Sequence, residues 1–243
     1  MEIFTPKNGI LIDLNYPEKS KVAEAISSTK DLDFVVGYRV GPIPVLKNGL
    51  DKIADILRDR ADKPVIYDHQ KFGSDVPDIC SGKILDYIKE SGFDAIVILP
   101  LSGKEVLESI ITKCTKINLL PIVCGDLPYH GYFLAEGGYI TTDIQQRIYL
   151  GAASLGVSHL MMSCNRMDKI KIYCHQLDAI VGQLKIFITA ISSPGCSELP
   201  DSCSQLMQKK VYAVFEKEFD SFEEYISSLS TFWDSFRKKL KIT

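Results

Sequence analysis

Short, unbroken apolar runs recur from one end of the chain to the other, each followed by a polar turn and usually by a stretch with helical periodicity. The runs are Gly9–Leu14, Asp33–Val40, Lys63–Asp68, Ala95–Leu99, Asn118–Cys124, His159–Ser163, Lys185–Ile191 and Val211–Phe215. Helical patterns cover Pro17–Thr29, Pro44–Arg58, a stretch reaching Ser91, Gly103–Lys113, Asp143–Leu155, Ile170–Gln183 and Ser221–Leu240. Strands that are apolar throughout, rather than alternating, are buried on both faces, as in a parallel sheet covered by helices. Eight such units in 243 residues fit the arithmetic of a closed (β/α)8 barrel. A doubly wound open sheet would use fewer strands at this length, and no G-x-G-x-x-G follows the first run. No repeat, low-complexity tract or linker divides the chain, so residues 1–243 are expected to form one domain.

Composition narrows the function classes. With 28 basic against 31 acidic residues the net charge is -3, which lacks the basic excess of a general nucleic-acid binder. No apolar run is long enough to cross a bilayer, and the N-terminus lacks the plan of a signal peptide, so a soluble, cytoplasmic protein is expected. The seven cysteines show no C-x-x-C spacing and several sit inside apolar runs, which reads as reduced thiols rather than a disulfide framework. The four histidines show no metal-binding spacing, and neither metal nor cofactor is expected. Trp233, on the last helix, reads as packing on the outside of the barrel.

In a barrel of this kind chemistry belongs where the strands run out at the C-terminal face. The polar residues there are Asp13, Arg39, Asp68-His69-Gln70-Lys71 with Asp75, Gly125-Asp126, Asn165-Arg166, Ser193-Pro194-Gly195 and Glu216-Lys217. The densest group follows the third strand and sets Lys71 between Asp68 and Asp75. A lysine between two carboxylates stays protonated, which makes it a poor nucleophile and a well-placed proton donor. The same residues are also compatible with an ordinary solvated polar loop.

The segment Asp68-His69-Gln70-Lys71, closed by Asp75-Val76-Pro77, resembles the Asp–Lys–Asp motif of the orotidine 5'-phosphate decarboxylase family, in particular a prokaryotic branch that writes it D-H-Q-K. Arg39-Val40-Gly41, Glu136-Gly137-Gly138-Tyr139-Ile140 and Ser193-Pro194-Gly195 are similar to further elements of that family, over roughly residues 9 to 220. The resemblance implies a (β/α)8 enzyme that decarboxylates orotidine 5'-monophosphate to uridine 5'-monophosphate in pyrimidine biosynthesis without a cofactor. It implies that Lys71 delivers the proton, that Asp68 and Asp75 fix its charge, and that Asp13 and Arg39 contact the ribose side. Ser193, Pro194, Gly195 and Lys217 would then serve the phosphate side. Because the family takes its second aspartate from a neighbouring subunit, a homodimer with shared sites is also implied.

The sequence departs from that pattern at several points. Arg39 stands for a lysine, and Ile79 for a threonine. Leu127-Pro128-Tyr129-His130 replaces the T-H-P-like element that approaches the pyrimidine. The loop from Gly195 to Asp201 lacks a glutamine, and Glu216-Lys217 replaces the Gly-Arg pair that grips phosphate in the family. Lys209 and Lys210, just upstream, are alternative phosphate contacts. A diverged protein acting on another phosphorylated ligand, or a non-catalytic interaction protein, is the alternative expectation.

Overall fold

The computed structural model describes residues 2–69, 72–189, 206 and 209–242, leaving aside the side chains of 168–171. Eight parallel strands close into a barrel in chain order: β1 (Asn8–Asp13), β2 (Val35–Val40), β3 (Val65–Tyr67), β4 (Ala95–Ile98), β5 (Leu120–Cys124), β6 (His159–Ser163), β7 (Lys185–Thr189) and β8 (Lys210–Phe215). The first strand pairs with the last, with Asn8 opposite Val211 and Ile12 opposite Phe215. Around this wall lie α1 (Lys19–Thr29), α2 (Pro42–Asn48), α3 (Leu50–Arg60), α4 (Pro77–Cys80), α5 (Lys83–Glu90), α6 (Lys104–Lys116), α7 (Ile144–Ser154), α8 (Ile170–Val181) and α9 (Phe222–Lys239). The architecture is a single (β/α)8 barrel, as the run pattern predicts.

Two apolar cores explain why the strands show no alternation. Ile96 and Ile98 of β4, Ile186 and Ile188 of β7, and Val211 and Ala213 of β8 belong to the layer between barrel and helices. Their neighbours Val97, Phe187, Tyr212 and Val214 fill the barrel interior with Leu11, Ile66, Ile122 and Met161. Each side of the pleat therefore needs apolar residues, and each fully buried aliphatic or aromatic side chain contributes about 1.5–3 kcal/mol. On the outer layer Trp233 of α9 stacks on Phe34, with ring centroids 5.2 Å apart. The N-terminal segment crosses the barrel floor, where Phe4 packs against Phe187 at 5.2 Å and Tyr212 at 5.3 Å. The Tyr212 hydroxyl also donates to the Pro6 carbonyl at 2.8 Å.

Two local readings differ from the structure. The pattern over Pro44–Arg58 is not one helix but α2 and α3, because Gly49 takes a φ of 91°. Its N–H caps the first helix by donating to the Val45 carbonyl at 2.8 Å. The cysteines also divide: Cys80, Cys114, Cys124 and Cys174 are free and buried, whereas Cys164, buried after β6, is disulfide-bonded. Reduced thiols are thus found at four of the five described cysteines, and spacing along the chain could not have separated the fifth. No described helix is long and apolar enough to cross a membrane.

Candidate active site at the barrel mouth

Arg39 is the hub of the C-terminal face. It is the penultimate residue of β2, beside Asp13, its partner in register on β1, and its guanidinium spreads among three carboxylates. Nε donates to Asp13 Oδ1 at 3.0 Å, Nη1 to Asp68 Oδ2 at 3.4 Å, and Nη2 pairs with Glu216 Oε1 at 2.6 Å. Strands β1, β2, β3 and β8 thereby converge on one ion-pair network. Burial works against the guanidinium charge, but Asp13, Glu216 and Asp68 outweigh it, so Arg39 holds its proton even more firmly than usual. A planar five-donor fork suits such a hub because it offers a separate nitrogen to each of the three carboxylates.

A cavity of about 310 Å³ opens over this network, lined among others by Asp13, Arg39, Asp68, Asp126, Ser163 and Glu216. Its opposite wall is built around Asp126, two residues past the end of β5. Gly125 is required there, because a Cβ would lie 2.6 Å from the Tyr149 ring. The Asp126 carboxylate accepts from Ser163 Oγ at 2.6 Å, from Ser163 N at 3.3 Å and from the Gln145 amide. Burial pushes its carboxyl up to about 6, although the bonds from Ser163 and Gln145 pull the other way. Among the described residues no three or more His, Cys, Asp or Glu side chains are grouped to hold a metal ion.

The loop after β5 is tied down over the mouth by the two residues that follow Cys164. Asn165 Nδ2 donates to the Pro128 carbonyl, and Arg166 Nη2 donates to the Tyr129 carbonyl at 3.0 Å. Arg166 also forms a two-pronged pair with Glu136, with Nη2 to Oε2 at 2.8 Å, and lies 4.7 Å over the Phe133 ring. Glu136 accepts in turn from the Gly131 and Phe133 amides at 3.2 and 3.4 Å. Hydrogen bonding from Arg166, foremost, holds the Glu136 carboxyl down to about 2. The Glu136-Gly137-Gly138 segment is thus a loop organiser, and Tyr139 beyond it is 95% exposed.

The sequence-derived site residues fall in three places. Asp13, Arg39 and Asp68 meet at the mouth cavity. Asp75 does not line it: this exposed aspartate accepts from the Val76 amide at 2.8 Å and borders a separate cavity of about 350 Å³ with Tyr67, His69, Ile79, Ile84 and Tyr87. The turn leading there depends on Gly73, at φ 93°, where a Cβ would sit 2.8 Å from the Leu99 carbonyl oxygen. Lys217 is exposed and donates to Ser228 of α9 at 2.6 Å, while its neighbour Glu216 is the residue that faces Arg39. Lys209 pairs with Asp178 and Lys210 with Glu2, at the floor end of β8. Lys71, Ser193, Pro194 and Gly195 lie outside the described residues. Sequence reasoning set Asp126 and Glu216 among the strand-end polar residues without giving either a role, and it passed over Ser163 and Gln145. Strand-end position was a signal for the first three, while Gln145, in the first turn of α7, had none.

No protein-family model and no curated protein matches the sequence. Solved structures do match in fold. An orotidine 5'-monophosphate decarboxylase from Methanocaldococcus jannaschii complexed with inhibitor BMP superposes with a TM-score of 0.69 at 17% identity, covering 86% of this chain and 88% of that one. Another structure of the decarboxylase from that organism gives 0.64 at the same identity and coverage. The chain therefore shares the closed (β/α)8 fold of these decarboxylases.

Proposed function

We propose that the protein is an orotidine 5'-monophosphate decarboxylase, acting in the cytoplasm in pyrimidine biosynthesis. The observation that carries this reading is Asp68, a carboxylate buried at the end of β3 in the mouth cavity, three residues before Lys71, on a barrel shared with known decarboxylases. In this reading the bond between C6 of the pyrimidine and its carboxylate breaks, carbon dioxide leaves, and the electron pair stays on C6. The Lys71 ammonium faces that developing charge and passes its proton to C6, and solvent then restores the lysine. The preorganised cation carries most of the rate effect, because it needs no reorientation as charge appears. Asp68 keeps the lysine charged, and Asp13 and Arg39 hold the ribose side. Ser193, Pro194, Gly195 and Lys217 serve the phosphate.

Asp75 completes the site in this reading from a second copy of the chain. Support comes from its exposed position beside Val76, Ile79, Ile84 and Tyr87, four exposed apolar side chains on α4, α5 and the turn before them. Such a patch is what a homodimer would cover.

One observation favours a second reading, a diverged protein whose ligand is not gripped by phosphate. Glu216 follows β8 and is closed onto Arg39, so the cavity lining includes four carboxylates, Asp13, Asp68, Asp126 and Glu216. A phosphate dianion approaching Glu216 would meet like charge. The deciding experiment follows loss of the orotate absorbance when purified protein meets orotidine 5'-monophosphate, with Lys71→Ala as control. Turnover that vanishes in the variant is expected. No turnover, with no thermal shift from uridine 5'-monophosphate, would overturn the decarboxylase reading in favour of the second.

A further inference from the structure

At the barrel floor, opposite the mouth, three basic side chains stand in one row. His159 is the register partner of Lys185, and Lys185 of Lys210, across the starts of β6, β7 and β8. They share the inward alternation of Met161, Phe187 and Tyr212, two residues further along each strand. Their partners differ. Lys210 is paired with Glu2 and reaches the Phe4 carbonyl at 3.5 Å. His159 is 4% exposed, its Nδ1 lies 3.3 Å from Ser158 Oγ, and its Nε2 has no hydrogen-bond partner among the described residues. Lys185 is only 9% exposed, yet its ammonium has neither a hydrogen bond nor an ion pair among the described residues. A cavity of about 400 Å³ adjoins the row, its polar wall formed by Glu2, Thr115, Asn118, Ser158, His159 and Lys185.

An ammonium largely withdrawn from water is costly, a like charge on the next strand adds to the cost, and the attraction of Glu2 offsets only part of it. Glu2 lines the same cavity, but its carboxylate is committed to Lys210, so the row keeps one net positive charge at Lys185. We infer that the floor cavity is a binding site for a small oxyanion, a carboxylate or phosphoryl group on a small molecule, held by Lys185 beside Ser158 and His159. The volume lies within the range of small-molecule sites, and apolar residues such as Ile111, Leu119 and Val157 complete the wall for the body of such a ligand. Burial, foremost, lowers the Lys185 ammonium from its ordinary value, the condition an incoming anion would relieve. The site is separate from the barrel mouth and does not depend on the chemistry there.

Histidine ring resonances read this site locally, since the other three histidines lie at 69, 130 and 175. Inorganic phosphate, and acetate in a parallel series, would be titrated at constant ionic strength, with the His159 signal assigned from His159→Gln. A saturable movement of the His159 signal with either anion, absent in Lys185→Gln, is expected. No movement, an equal movement in Lys185→Gln, or the same movement with sodium chloride would overturn the proposal. A second measurement needs no variant: phosphate should slow amine acetylation of Lys185 several-fold while leaving exposed Lys52 of α3 unchanged. Equal rates with and without phosphate would count against the site.

Discussion

Asp126 shows what one buried carboxyl does to the pH dependence of a whole protein. Burial raises it from 3.8 to about 6, so the folded chain takes up this proton at a higher pH than the unfolded chain does. Its contribution to stability is therefore fully present below about pH 3.8 and is lost as pH rises through about 6. The full effect corresponds to roughly 3 kcal/mol. Urea unfolding of wild type and Asp126→Asn across this window should show the stability difference shifting against wild type as pH rises. A difference that stays constant with pH would mean that the carboxyl titrates normally. At this scale the sequence is a partial guide. Strand-end position marks Asp13, Arg39, Asp68, Asp126 and Glu216 as facing the mouth, but nothing along the chain says that Arg39 takes three of them as partners. Those pairings join residues brought together only when β1, β2, β3 and β8 close, so they belong to the barrel and not to any local motif.

Among the elements, the strands were the most legible, because burial on both faces leaves a signature that needs no knowledge of the partner strand. Helix boundaries were less so: the break at Gly49 depends on a left-handed backbone angle, and the surrounding apolar pattern runs through it. The loop after β5 was hardest to read. Its tripeptides suggest a family element, while its anchoring depends on Arg166, thirty residues beyond Glu136. That anchoring yields a prediction for the element alone. Arg166→Met should leave the far-ultraviolet spectrum unchanged and speed proteolytic cleavage between Tyr129 and Tyr139 several-fold. An unchanged cleavage rate would show that Asn165 and the loop's own hydrogen bonds suffice to hold it.

For the whole molecule, the question is whether one barrel is a complete unit. The proposed homodimer has a direct test in light scattering at micromolar concentration, where a dimer is expected. Tyr87→Glu combined with Ile79→Glu should yield monomers and, if Asp75 completes the partner's site, abolish orotidine 5'-monophosphate turnover while the barrel stays folded. A wild-type monomer would remove the shared site, and an active monomeric variant would remove Asp75 from the chemistry. Closure of the barrel was readable from eight strands in one length of chain, whereas assembly was suggested by the family resemblance alone, since exposed apolar residues are scattered in sequence and form a patch only on the folded surface.

The pairing of β1 with β8 also has a consequence in time. Asn8 accepts a hydrogen bond from the Val211 amide, 203 residues later in the chain. At a synthesis rate of about 5–20 residues per second, the first strand waits on the order of ten to forty seconds for the strand that closes it. During that interval one edge of β1 is an open template, and the floor that Phe4 seals has no far wall. A nascent barrel of this kind can mature only after its last strand has left the ribosome, so truncation anywhere before β8 would release an open-edged sheet to quality control.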